Sequence, residues 1–155
     1  MDIHCQSSLK FTAGVKKVKG LLIKKKWLDK ILRGEKVWEI RGSGCSYSGE
    51  IALIESGSGK VRGLARVKGV IGPMTLSDLK RFTPRHQVDE TTLTEWGGYK
   101  NNYCWALTDV RKLDAPVSYR HPQGAVIWVS SSNLPFKKIA DAKKRIVKAK
   151  VTDME

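Results

Sequence analysis

From Gly20 to Val129 the apolar residues come in short runs, each soon cut off by glycine, proline or polar turn residues. Such punctuation points to many brief strands and few helices. Residues 20–23 form an apolar run suited to a strand, and Trp27, Leu28, Ile31 and Leu32 then recur at helical spacing until Gly34, a natural residue just past a helix end. Residues 37–41 alternate, with Trp38 and Ile40 on one face and Val37, Glu39 and Arg41 on the other, while Lys36 stands just before the strand. Residues 50–54 and 61–71 read as strands joined by a turn over residues 56–59. Thr75 with Asp78 and Thr92 with Glu95 resemble capping boxes, so short helices are expected over residues 76–82 and 93–96. Residues 103–113 and 125–129 supply the last strands, across a connection over residues 116–124. Taken in order, these elements predict an α+β fold, a small β-barrel or strongly curved sheet with short helices covering its ends.

A length of 155 residues suits one domain, and the longest apolar runs are far too short to span a bilayer. The first twenty residues hold no continuous apolar stretch of the secretory kind, which places the protein in the cytoplasm. Lys and Arg total 29 against 15 Asp and Glu, a formal charge of +14. Self-repulsion on that scale is most simply tolerated for a polyanionic partner, because each phosphate neutralised releases condensed counterion. RNA leads the list of partners, with single-stranded DNA next. Anionic lipid would require a basic amphipathic helix with large apolar residues on one face, so no membrane partner is expected; an adaptor that binds another protein and uses its charge only for solubility remains the bland alternative. The charge gathers at the ends. Residues 1–19 read as a basic arm outside the fold, and residues 133–155 as a basic tail or helix with a narrow stripe of Phe136, Ile139, Ala140, Lys143, Ile146 and Val147. That helix is either solvated or a second phosphate-contacting element. The three cysteines, Cys5, Cys45 and Cys104, are far apart and no zinc-type ligand spacing joins them to His4, His86 or His121, so neither a disulfide framework nor a metal is expected. Cys104 reads as a small buried hydrophobe.

Lys36, Glu39 and Arg41 stand at i, i+3 and i+5, which puts two cations and an acceptor into one cleft. Arg41 can grip a phosphate with two parallel N–H groups or be held by Glu39, and Lys36 supplies a compact, mobile charge. Glu39 can instead accept from the exocyclic amine of an extruded base. The plain alternative is an exposed Glu39–Arg41 ion pair worth at most about 1 kcal/mol. Lys24, Lys25 and Lys26 add a basic run for phosphate contacts. Tyr47 lies in the Gly- and Ser-rich loop after the motif, where its ring can stack on a base. Trp96 and Tyr99 flank a Gly-Gly pair that can close over a ligand or serve as a plain loop. Trp27, Trp38, Trp105 and Trp128 sit in periodic elements and are expected in the core.

Gly34, Lys36, Glu39 and Arg41 match the G-x-K-x-x-E-x-R motif, just after the first helix, and Trp105 with Pro116 and residues 124–128 resemble closing strands of the same family. On these residues the chain resembles the ASCH domain (activating signal cointegrator homology) over residues 20–132. The resemblance implies a PUA-like barrel with a cleft beside the motif and a role in binding RNA or another nucleic acid; no cofactor is expected. Some small relatives are amidohydrolases on acetylated cytidine, but Glu39 stands where they have Thr, which removes the hydroxyl nucleophile and puts that activity in doubt. Others are ribonucleases relying on Lys, Tyr and Ser; an enzyme of that kind would draw here on Lys36, Tyr47 and Ser130.

Overall fold

The computed structural model describes residues 18–154, with side chains described to residue 146. The basic arm expected over residues 1–19 lies outside the described residues as far as 17, as do His4 and Cys5; Val18 is buried, and Lys19 opens the first strand. The chain runs β1 (Lys19–Ile23), α1 (Lys25–Leu32), β2 (Trp38–Arg41), β3 (Glu50–Glu55), β4 (Lys60–Met74), α2 (Leu76–Lys80), α3 (Thr83–His86), α4 (Glu90–Trp96), β5 (Asn102–Ser118), β6 (Trp128–Val129) and α5 (Phe136–Met154). Six strands form one sheet in the order β2-β5-β4-β3-β1-β6. β1 runs parallel to β3, Leu21 opposite Leu53, and the other pairings are antiparallel. The result is the α+β curved sheet that the strand punctuation predicts.

Curvature comes from the long β4–β5 pair, whose register shifts at four places, each extra residue bending the ladder and tightening its twist. One shift corrects the expected end of β5 near residue 113. Val117 pairs with Val61 and Lys112 with Gly63, so Pro116 falls in the irregular stretch between them, where no ladder N–H is needed. The strand therefore runs through the proline. The last strand, expected over residues 125–129, shrinks to Trp128 and Val129, although Ile127 still accepts from Leu22 N–H at 2.9 Å.

Helix ends follow local chemistry with one exception. Arg33 caps α1, and Gly34 beyond it has φ +83°, a left-handed conformation that glycine adopts without strain. Thr75 and Asp78 make the full reciprocal capping box. Thr92 does not cap: Asp89 does, accepting from Thr92 N–H at 2.9 Å, so α4 begins three residues before the expected helix. A carboxylate acceptor followed by Glu90 suits a helix N-terminus better than a threonine hydroxyl.

Three apolar groups complete the fold. Leu28 and Ile31 of α1 pack with Leu21, Leu53 and Trp105 on one side of the sheet. Trp38 and Ile40 of β2 join Leu79, Val88, Leu93 and Cys104 beneath α2 to α4. The C-terminal helix docks on the other side: Ile139 and Ala142 are buried among Leu22, Ala52, Leu64 and Val129, flanked by Phe136 and Ile146. Its inward row thus runs through Ala142 rather than Ala140, and over residues 136–146 the helix is packed on the sheet rather than solvated. No helix among the described residues is long and apolar enough to cross a membrane.

Candidate nucleic-acid interface

Alternation along β2 decides where the motif points. Because Trp38 and Ile40 face α2 to α4, Glu39 and Arg41 turn to the opposite side, toward Trp105 and α1. The charges meet there as the spacing predicts, but under cover: Lys36 is 1% exposed, Glu39 6%, and the Arg41 side chain 13%. Arg41 Nη2 donates to Glu39 Oε2 at 2.9 Å and to Leu22 O of β1 at 2.7 Å. A side chain of edge strand β2 therefore reaches the strand next to the opposite edge, closing the curved sheet. Lys36 Nζ donates to His86 O at 2.6 Å, lies 3.6 Å from Glu39 Oε1, and sits 5.3 Å from the centre of the Trp27 ring. The mobile charge and the exposed ion pair expected here are replaced by a buried, fixed network.

Burial lowers the Lys36 pKa from its usual value while Glu39 pulls it back up, and the net shift is downward. His86 is fully buried; its Nε2–H donates to Leu79 O at 2.6 Å and its Nδ1 accepts from Val88 N–H at 3.0 Å, the neutral tautomer those partners require. Burial first, and Lys36 after it, push the imidazole below its usual 6.5. Below about pH 6.5 the unfolded chain therefore takes up a proton that the folded chain refuses, so this contribution to stability is complete above that pH and lost in acid. The thermal midpoint is expected to fall between pH 7 and pH 5, a window above the carboxylates, and His86→Gln to flatten it. A midpoint that holds or rises over that interval in the wild type overturns this assignment.

The network continues outward through aromatic rings. The Arg41 guanidinium carbon lies 5.9 Å from the centre of the Trp105 ring, and Trp105 Nε1 donates to Ser43 O at 2.9 Å, tying down the loop after the motif. Trp105 stacks on Trp128 at 5.6 Å, Tyr47 meets Trp128 edge-on at 6.1 Å, and Lys19 Nζ lies 4.5 Å from the Trp128 ring centre. Tyr47 O–H donates to Glu50 O at 3.1 Å, and burial pushes its phenol above the ordinary value. Of the four tryptophans assigned to the core, only Trp105 is fully enclosed; Trp27, Trp38 and Trp128 are half-buried against it.

No three His, Cys, Asp or Glu side chains among the described residues gather to hold a cation, and burial raises the Cys104 thiol to about 11, leaving it inert. Against known proteins, the ASCH domain model matches residues 21–117, more than half of the chain. The chain belongs to the ASCH domain family. Solved ASCH structures from Zymomonas mobilis superpose with TM-scores of 0.60 and 0.59 at 15% and 14% identity, covering 83% and 87% of this chain and 98% and 97% of theirs. A third, titled simply as ASCH from the same organism, superposes at 0.60 with 14% identity over 80% of this chain and 92% of its own. The first two carry a Tyr-to-Phe and a Ser-to-Ala change in their own sequences. No curated protein matches.

In this ASCH domain Lys24, Lys25 and Lys26 are exposed at the start of α1, Lys25 bonded to Asp29 at 2.7 Å and Lys26 4.8 Å from the Trp27 ring centre. Ser130 is exposed beyond β6, bonded to Ser132 at 3.2 Å, and follows Val129, the partner of Gly20, at the end where Lys19 and Tyr47 meet. The site thus has a buried end at Lys36 and an open end at Tyr47. Residue patterns alone overlooked His86, Lys19 and the Leu22 carbonyl. Nothing local marks a backbone acceptor nineteen residues from Arg41, whereas a histidine ending the short helix α3 was visible in principle.

Proposed function

We propose that this ASCH domain binds single-stranded RNA beside Arg41, with the backbone running over the lysines of α1. One observation carries the reading. The motif gathers two cations around one carboxylate, and Arg41 Nε–H, buried, meets no acceptor among the described residues. A buried cationic excess with a donor to spare favours an anionic oxygen, and a chain of charge +14 favours a polyanion. On this reading Lys36 and Glu39 hold Arg41 in place, Glu39 does not read a base, and Tyr47 offers a ring to stack on. A phenol above its usual range stays protonated near neutrality, so in any hydrolysis Tyr47 would be a donor rather than a base.

Anisotropy titrations of a labelled single-stranded RNA at rising salt test it. With about five phosphate contacts the log–log slope is expected near −3.5, and replacing Lys24, Lys25 and Lys26 by Gln should flatten it by about 2. A slope near zero overturns the proposal. The same RNA incubated in EDTA separates binder from hydrolase: intact RNA supports binding alone, whereas shortened product with the wild type but not with Lys36→Ala assigns a metal-independent ribonuclease. Equal titration of single-stranded DNA reports whether the 2′-hydroxyl matters.

A further inference from the structure

Trp96 and Tyr99 are 42% and 43% exposed and take no part in the network around Lys36. Their arrangement is nevertheless built. Gly97 and Gly98 both have φ +80°, which turns the chain back at once after α4 and brings the Tyr99 ring edge-on to Trp96, 4.9 Å between centroids and 88° between planes. Tyr99 N–H donates to Asn102 Oδ1 at 2.8 Å, and the buried Asn102 passes the restraint to β4 through Met74 O at 3.0 Å. The Tyr99 ring lies against Gly42, where a Cβ would come within 2.9 Å of it. Gly42 directly follows Arg41, and the next residue, Ser43, is bonded to Trp105 beneath the guanidinium. Two exposed rings are thus seated by a glycine turn and a buried amide at the end of β2, on the α4 side and across the sheet edge from the Arg41 side chain.

Resting on the nucleic-acid reading above, we propose that Trp96 and Tyr99 form a stacking platform for an unpaired base of the strand whose backbone meets Arg41, reached around the edge of the sheet at the end of β2. A base offers a π-face whatever its identity, so a fixed, solvent-facing ring binds it without reading its edge. Edge-to-face packing leaves the faces of the edge-presenting ring outside the pair's own contact. Lys100 adjoins Tyr99 and the exposed Glu95 adjoins Trp96, so the platform would hold a base by stacking rather than by charge. The platform and the Arg41 site would then hold separate nucleotides of one strand that bends over the β2 edge, giving the domain a preference for single-stranded over paired RNA.

The test compares two labelled RNAs of equal length and charge, one with ordinary bases and one with a run of abasic sites, on the full chain. Wild type should bind the base-bearing strand about tenfold more tightly. Trp96→Ala with Tyr99→Ala should lower that preference several-fold, to the part that Tyr47 supplies, while leaving abasic binding, the salt slope and the thermal midpoint unchanged; Trp96→Phe should keep most of it. If the double variant keeps the preference undiminished, or weakens both strands alike, the proposal is overturned and the pair belongs to packing or to a protein contact. If wild type binds neither strand, the RNA reading falls, and this inference with it.

Discussion

Glu39→Gln should destabilise the domain by about 3–5 kcal/mol, lowering the thermal midpoint by on the order of 10–20 °C. Glu39 is the carboxylate that both Lys36 and Arg41 face, and all three are at least largely buried, so the variant leaves two cations enclosed without a counter-charge. The pH dependence makes the test specific. The Lys36 pKa already lies below its usual 10.5 because of burial, and Glu39 is the main influence holding it up. Without Glu39 it falls further, so over a wider interval below about 10.5 the unfolded chain binds a proton that the folded chain does not. Stability of the variant should therefore rise more steeply with pH than that of the wild type, and the deficit should shrink in alkali. Lys36→Met in the Glu39→Gln background should recover part of it, since an apolar side chain of similar length needs no partner. Equal stability of Glu39→Gln and wild type at pH 7 would mean that the motif face is hydrated and that the network does not close the sheet.

Glu50→Gln should cost about 3 kcal/mol, toward the lower end of the range for a broken buried pair. Burial alone would raise the Glu50 carboxyl, but Arg111 and Lys143 more than offset it and hold it below its usual 4.5. Lys143 Nζ reaches Glu50 Oε2 at 3.0 Å from the C-terminal helix, and Arg111 Nη2 reaches the same oxygen from β5. The variant strands Arg111, which is little exposed and keeps only Asp109 at 3.3 Å, whereas Lys143 can turn to water. The effect should be regional. Amide exchange in α5 should accelerate more than in β3 or β4, because the helix loses its buried polar tie to the sheet and keeps its apolar contacts through Ile139 and Ala142 with the exposed Arg145–Asp114 pair. In the wild type the Glu50 contribution should vanish as pH falls through the lowered carboxyl value, below the His86 window. Uniform exchange across the domain in Glu50→Gln would show that α5 and the sheet unfold as one unit.

Local order was legible wherever the physics is local. The stripe from Trp27 to Leu32 with Gly34 as its stop, the alternation through β2 and the Thr75 capping box each follow from neighbours within four residues, and each stands in the structure. Where two local signals competed, position decided between them, as when Asp89 took the cap that Thr92 also fitted. The motif was equally legible as a set of residues that must meet, because period two places Glu39 and Arg41 on one face and i+3 brings Lys36 beside them. Alternation, however, says only that a strand has two faces, not which of them meets solvent. In β2 the apolar face packs under α2 to α4 and the charged face is covered by α1, Trp105 and the His86 carbonyl, so both are enclosed.

What the sequence by itself determined is the order of the strands and of every helix but α3, the basic surplus and the company of Lys36, Glu39 and Arg41. Only the tertiary structure decided that this company is buried, that Arg41 ties β2 to Leu22, that β5 passes through Pro116 at a bulge and that α5 is part of the core. The division has one physical cause. Helical and strand periods and caps arise from groups a few residues apart, whereas burial, register and charge pairing depend on which distant segment lies on top, and parts as remote as Glu50 and Lys143 meet only once the sheet has curved.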